Sequence, residues 1–286
     1  RVVNEGRITV GEAGLAALVG GDVENAGAIV ARRGTVALAS GRKTTIDMTG
    51  DGLVKIAVEG DAETTRRGVT HSGTIDADGG RVILSSGAAA RMLDAAINTT
   101  GAIRANSVAG SGGQVELVAR GSGEVRIAGA VEAKGATRGG EIAATGARAE
   151  IAEGARIDAS GGRDGGRVRL GGDWQGQGPL RRADHLTMDA GARIAADGGA
   201  GRGGEVVLWA DGSTQVDGAI SARGGVAGGR IETSGAFALG VGETAAVEPG
   251  PGGLWLLDPR DVILAGGLNG VVPGVNNPPA TGAGAF

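Results

Sequence analysis

Gly165-Gly166-Arg167-Val168-Arg169-Leu170 decides the fold, because six other stretches are built the same way. They are Gly79-Gly80-Arg81-Val82-Ile83-Leu84, Gly112-Gly113-Gln114-Val115-Glu116-Leu117, Gly139-Gly140-Glu141-Ile142-Ala143-Ala144, Gly203-Gly204-Glu205-Val206-Val207-Leu208, Gly228-Gly229-Arg230-Ile231-Glu232-Thr233 and Gly252-Gly253-Leu254-Trp255-Leu256-Leu257. Counted from the second glycine, the steps are 33, 27, 26, 38, 25 and 24 residues. A period of this size marks a solenoid, whose repeats bury their apolar sides only against their neighbours.

A second element precedes most of the pairs: a small residue, then Ile or Val, any residue, and Ala. Gly73-Thr74-Ile75-Asp76-Ala77, Gly129-Ala130-Val131-Glu132-Ala133, Ala155-Arg156-Ile157-Asp158-Ala159 and Gly218-Ala219-Ile220-Ser221-Ala222 are examples. Both elements have a period of two. Ile75 and Ala77, or Val168 and Leu170, therefore point inward, while Asp76, Asp78, Arg167 and Arg169 point to solvent. A unit reads as one I-x-A strand, a glycine corner giving positive φ and close approach, one V-x-L strand and a return. At ~24 residues per coil, residues 1–265 make about eleven coils in a rod on the order of 50 Å long. The fold class is all-β, a single parallel β-helix of about 24–28 residues per coil, with no helix beyond a short turn around Gly14–Leu18.

Stacking in register predicts outward columns. One runs Val30, Asp76, Arg104, Glu132, Asp158, Ala195, Ser221; the next Arg32, Asp78, Asn106, Lys134, Ser160, Asp197, Arg223. Signs vary down each, which reads as solvated faces. The 286 residues carry 28 basic and 32 acidic side chains, a net charge of −4, which gives no electrostatic footprint for nucleic acid. Sixty glycines, three Trp, two Phe, no Tyr and no Cys leave a narrow core of Val, Ile, Leu and Ala and exclude disulfides.

Two places break the period. The 38-residue step leaves an excursion at about 172–188 carrying Trp174, Arg181, Arg182 and His185. Loops on rigid scaffolds often hold function, so these four form the candidate contact loop; the competing reading is a packed cap anchored by Trp174. Six of the seven prolines lie in 249–279, and 266–286 reads as a Gly/Pro-rich linker or the start of a following region. Arg1-Val2-Val3 begins inside a repeat-like segment, so the chain reads as a piece of something longer.

Chemistry is sparse. No phosphate-binding loop or Gly-x-Ser-x-Gly occurs, and His71 and His185, both read as polar surface, lack partners at metal-ligand spacing. Gly161-Gly162-Arg163-Asp164-Gly165-Gly166 lacks the Asp placement and nonapeptide period of calcium-binding β-rolls. No catalytic residue, metal or cofactor is expected. A β-helical polysaccharide enzyme would need carboxylates clustered on adjacent coils, which the mixed columns do not show.

Several ordered segments resemble the filamentous haemagglutinin family of large two-partner-secretion exoproteins. They include Val3-Asn4-Glu5-Gly6-Arg7-Ile8-Thr9-Val10, Gly34-Thr35-Val36-Ala37-Leu38-Ala39-Ser40-Gly41, Gly171-Gly172-Asp173-Trp174-Gln175-Gly176-Gln177-Gly178-Pro179 and Gly253-Leu254-Trp255-Leu256-Leu257-Asp258-Pro259. The resemblance implies a right-handed β-helix exported through an outer-membrane β-barrel partner and folded outside the cell, as a secreted or cell-surface protein. It implies adhesion to a host cell, matrix or glycan whose identity the motifs do not give, or fibre and biofilm cohesion by self-association. The family's secretion domain is expected to precede this segment. The alternatives are a β-helical enzyme acting on extracellular polysaccharide and an inert stalk for a toxin or binding head.

Overall fold

The computed structural model describes residues 1–41, 43–47, 55–59, 68–87, 96–107, 109–110, 112–259 and 261–264; the 266–286 segment lies outside them. The chain is a parallel β-helix. Nine I-x-A strands, from Arg7–Thr9 to Ala246–Glu248, stack in one parallel sheet. The V-x-L strands stack beside them, for example Arg81–Ser86, Gln114–Ala119, Glu141–Thr145 and Arg167–Leu170.

The return is itself a strand, so each coil has three sides rather than two. Val23–Asn25, Val69–His71, Ile97–Thr99, Glu124–Ile127 and Arg148–Ile151 belong to this third stack. It has two inward columns: one is aliphatic through Val23, Val69, Ile97 and Val125, and the other runs Asn4, Asn25, His71, Thr99, Ile127, Ile151, Met188, Val216, Val241, with no one chemistry kept along it. His71, expected on a polar surface, is fully buried there.

The described residues hold nine coils, not eleven, giving a rod of about 40 Å at the usual strand spacing. Two segments that leave the coil account for the shortfall. One contains an antiparallel ribbon of Lys43–Asp47 with Lys55–Glu59; the other is the excursion before Ala183. The turn allowed around Gly14–Leu18 is a strand, Leu15–Gly20. The single helical element described is one 3-10 turn, Trp174–Gly176.

Inward residues form columns. Ile29, Ile75, Ile103, Val131, Ile157, Ile194 and Ile220 lie one above another, each at most 1% exposed. The column Ala31, Ala77, Ala105, Ala133, Ala159, Ala196, Ala222 is fully buried beside it. The first expected outward column, Val30 to Ser221, has the register expected of it.

The glycine pair works by close approach more than by positive φ. Only Gly79 and Gly252 among the paired glycines have left-handed φ, at 71° and 66°. A Cβ on Gly140 would lie 2.1 Å from the Gly113 carbonyl oxygen, and one on Gly113 would lie 2.1 Å from that of Gly80. The second glycine also closes the corner: its N–H donates to the Ala carbonyl of its own coil, Gly80 to Ala77 at 2.7 Å and Gly140 to Ala133 at 2.7 Å.

That bond diverts an acceptor from the inter-coil ladder. The Ala102 N–H donates to Gly73 O, so by ladder spacing the Asn106 N–H would reach Ala77 O, already taken by Gly80. Outward side chains supply the substitute. Asp78 Oδ1 accepts from Asn106 N–H at 2.9 Å, Asn106 Oδ1 from Lys134 N–H at 2.7 Å, and Asp197 Oδ1 from Arg223 N–H at 2.7 Å. The second outward column is thus a hydrogen-bond ladder rather than a merely solvated face.

Gly140→Ala should force neighbouring coils apart and cost about 1–3 kcal/mol in urea unfolding, whereas Thr137→Ala at the exposed corner should leave the midpoint unchanged. Ile157→Asp buries an unpaired charge and should cost several kcal/mol. Asp158→Ser on the adjacent outward position should cost below about 1 kcal/mol. Equal losses at 157 and 158 would contradict the register.

Candidate functional site

The excursion exists because alternation lapses beneath it. In Val206-Val207-Leu208-Trp209-Ala210 both faces are apolar, and none of the five is more than 7% exposed. Strands buried on both faces read as continuous apolar runs. Val207 and Trp209 point outward, so something must cover them. Residues 171–182 cover Trp209: Gly172 and Gly176 lie against its ring, where an added Cβ would come within 2.6 Å. Left-handed φ at Gly171, Gln175 and Gly176 (74°, 54° and 64°) turns the chain back on itself.

Two carboxylates pin this cover. Asp173, 7% exposed, accepts from Arg169 Nη1 at 2.6 Å and from the Leu180 N–H at 2.8 Å. Glu232, fully buried, accepts from the Gln175 N–H at 2.7 Å. Burial, with some help from the charges of Asp258 and Glu205, raises the Glu232 pKa; the Gln175 amide pulls it back. Arg230 sits 4.7 Å over the Trp174 ring in a cation–π contact.

The four candidate contact residues do not gather on one protrusion. Arg181 spends its guanidinium on the carbonyls of Ala119, at 2.8 Å, and Gly121. Arg182 pairs with Asp211 at 2.9 Å and donates to Gly176 O at 3.1 Å. Trp174 is half-buried under Arg230. His185 lies outside the excursion, in the strand Ala183–Met188, exposed and 2.9 Å from Ser213 Oγ. Sequence reasoning missed Asp173, Trp209, Arg230 and Glu232; the signal was the unbroken apolar run at 206–210.

The first half of the rod repeats the device. Outward Ala37 and Ala39 are fully buried, Ile83 is 5% exposed, and the strand Lys55–Glu59 lies against Thr35–Ser40 and Arg81–Ser86. Between the two covers, outward charges alternate up the stack: Arg167 reaches Glu205 at 2.9 Å and Glu141 at 3.5 Å, and Arg126 reaches Glu150 at 3.0 Å. Beside them runs an open groove of about 930 Å³, floored by the glycine pairs from Gly112 to Gly229. Among the described residues no group of three or more His, Asp or Glu could hold a metal ion.

Deleting Trp174–Leu180, closed with a short glycine linker, should bare Val207 and Trp209. The expected result is a red-shifted tryptophan emission and a loss of roughly 1.5–3 kcal/mol for each large side chain uncovered. Unchanged emission and stability would show that the excursion covers nothing.

No protein-family model matches the chain, and no curated protein matches it. Among solved structures it is similar to the HMW1 secretion domain from Haemophilus influenzae, with TM-score 0.78 and 32% sequence identity over 90% of this chain. The chain spans 66% of the length of that one. The likeness therefore falls on a secretion domain itself, the region expected to precede this segment.

Proposed function

We propose that this chain is a β-helical segment of a large secreted bacterial exoprotein, carried through the outer membrane by a dedicated β-barrel partner and acting outside the cell without catalysis. The carrying observation is the 32% identity and TM-score 0.78 shared with a secretion domain over 90% of the chain. The architecture suits such a route. Each coil is stabilised by its neighbours, so coils can add one at a time as the chain emerges. A chain with no cysteine has no disulfide to form on the way.

A non-catalytic role is supported by the surface chemistry. Glu116, Glu141, Glu150 and Glu205 each meet an arginine of another coil rather than a second carboxylate, whereas glycoside hydrolysis commonly uses two facing carboxyl groups. Outside the cell, the role we propose is adhesion or fibre cohesion along the flank of a stiff rod.

The export step is directly testable. Placed behind a signal peptide, in cells with or without a co-expressed outer-membrane barrel of the two-partner-secretion type, the chain should reach the medium only when the barrel is made. Release that does not depend on the barrel would refute the reading.

A further inference from the structure

In the first three coils of this chain one of the two inward columns of the third stack is polar, beside Val23 and Val69. Asn4 is 8% exposed, and Asn25 and His71 are fully buried. They form a relay with one direction of donation. The Gly6 N–H donates to Asn4 Oδ1 at 3.2 Å, Asn4 Nδ2 to Asn25 Oδ1 at 2.7 Å, and Asn25 Nδ2 to His71 Nδ1 at 3.0 Å. His71 Nε2 then lies 3.2 Å from the Ala102 carbonyl. A carbonyl only accepts and a backbone N–H only donates, so both ends of the relay favour the same direction of donation. His71 must be the neutral tautomer with its proton on Nε2.

A second proton cannot be accommodated by turning amides. Protonated Nδ1 would face the Asn25 NH2, donor against donor. Turning Asn25 would set its NH2 against that of Asn4, and turning Asn4 as well would set an NH2 against the Gly6 N–H. Each escape costs the relay a hydrogen bond, and the Asn25 carbonyl already accepts the Ser72 and Gly73 N–H groups. We propose that this relay is an acid-released latch, which holds the first three coils together at neutral pH and lets them open when His71 takes up a proton.

Burial lowers the His71 pKa from 6.5, and the backbone carbonyls of Ala102 and Asn25, which favour the protonated ring, offset this only in part. The unfolded chain therefore binds the proton more tightly than the folded one. The latch contributes its full stability above about pH 6.5 and loses it as pH falls below that value. Charged groups on the surrounding strands, Glu24 with its partner Arg1, Arg7, Asp76 and Arg104, hold outward positions, and none enters the causes of the shift. Farther along the rod the same column is Ile127, Ile151, Met188 and Val216, which have nothing to titrate. Because coils depend chiefly on their neighbours, the opening is local.

Hydrogen exchange by mass spectrometry, corrected for intrinsic rates, at pH 7.5, 6.5 and 5.5 tests this on wild type, His71→Asn and His185→Asn. The amide introduced by His71→Asn would continue the relay as an acceptor without titrating. In wild type and His185→Asn, amides of 2–30 and 69–76 should lose protection by up to about tenfold per pH unit below 6.5, while those of 141–259 hold. His71→Asn should keep its protection throughout. Equal acid loss in His71→Asn would overturn the latch and point to carboxylates such as Asp78, whose pKa burial raises. If His71→Asn does not fold, the ring 15N shifts of wild type decide. A neutral Nε2–H ring that persists until the first coils open supports the latch, and a charged ring within protected coils overturns it.

Discussion

Everything in this rod depends on one close approach, the second glycine of each pair lying on the carbonyl of the glycine one coil below. Stacked coils must sit at strand spacing for their backbone groups to pair, and at the corner this leaves no room for a Cβ: the added atom would be 2.1 Å from oxygen at Gly140. The same glycine N–H closes its own corner onto an Ala carbonyl, and Asp78, Asn106 and Asp197 then replace the lost acceptor for the coil above. Corner, core spacing and outward ladder are thus one linked arrangement. Buried backbone groups are seldom left unpaired, which explains why acceptor side chains recur in a column that otherwise looks free to vary.

The lateral faces follow a similar economy of exposure. Where outward positions alternate in charge, as at Glu141 and Arg167, the sheet stands in water. Where they turn apolar, at Ala37 and Ile83 or at Val207 and Trp209, the chain leaves the coil and lays a segment across them. The excursions are coverings set by the strands beneath. Trp174, Arg181 and Arg182 are therefore turned largely toward the rod's own carbonyls, carboxylates and cations.

For a rod proposed to pass through a membrane barrel and fold beyond it, this is a workable construction. Each coil finds most of its partners in adjacent coils, and the excursion reaches further, as Arg181 does to Ala119. The polar start of the third column stands apart, since Asn4, Asn25 and His71 place hydrogen bonds where later coils place Ile and Met. Directional bonds between neighbours favour one stacking order where apolar columns would tolerate slippage.

The sequence by itself determined the solenoid, its inward Ile, Ala, Val and Leu columns and the register of the first outward column, because a two-residue period repeated at the coil length leaves only one way to bury those side chains. The third side was hidden because its strands are short and one of its two inward columns changes from Asn and His to Ile and Val, leaving the Val23, Val69, Ile97 and Val125 column without a repeating companion. Tertiary structure alone decided that His71 is interior, that Asp78 and Asn106 complete a backbone ladder, and that the excursion lies flat. Each of these depends on which atoms stand one or two coils away, 28 to 62 residues along the chain, and no local pattern carries that distance.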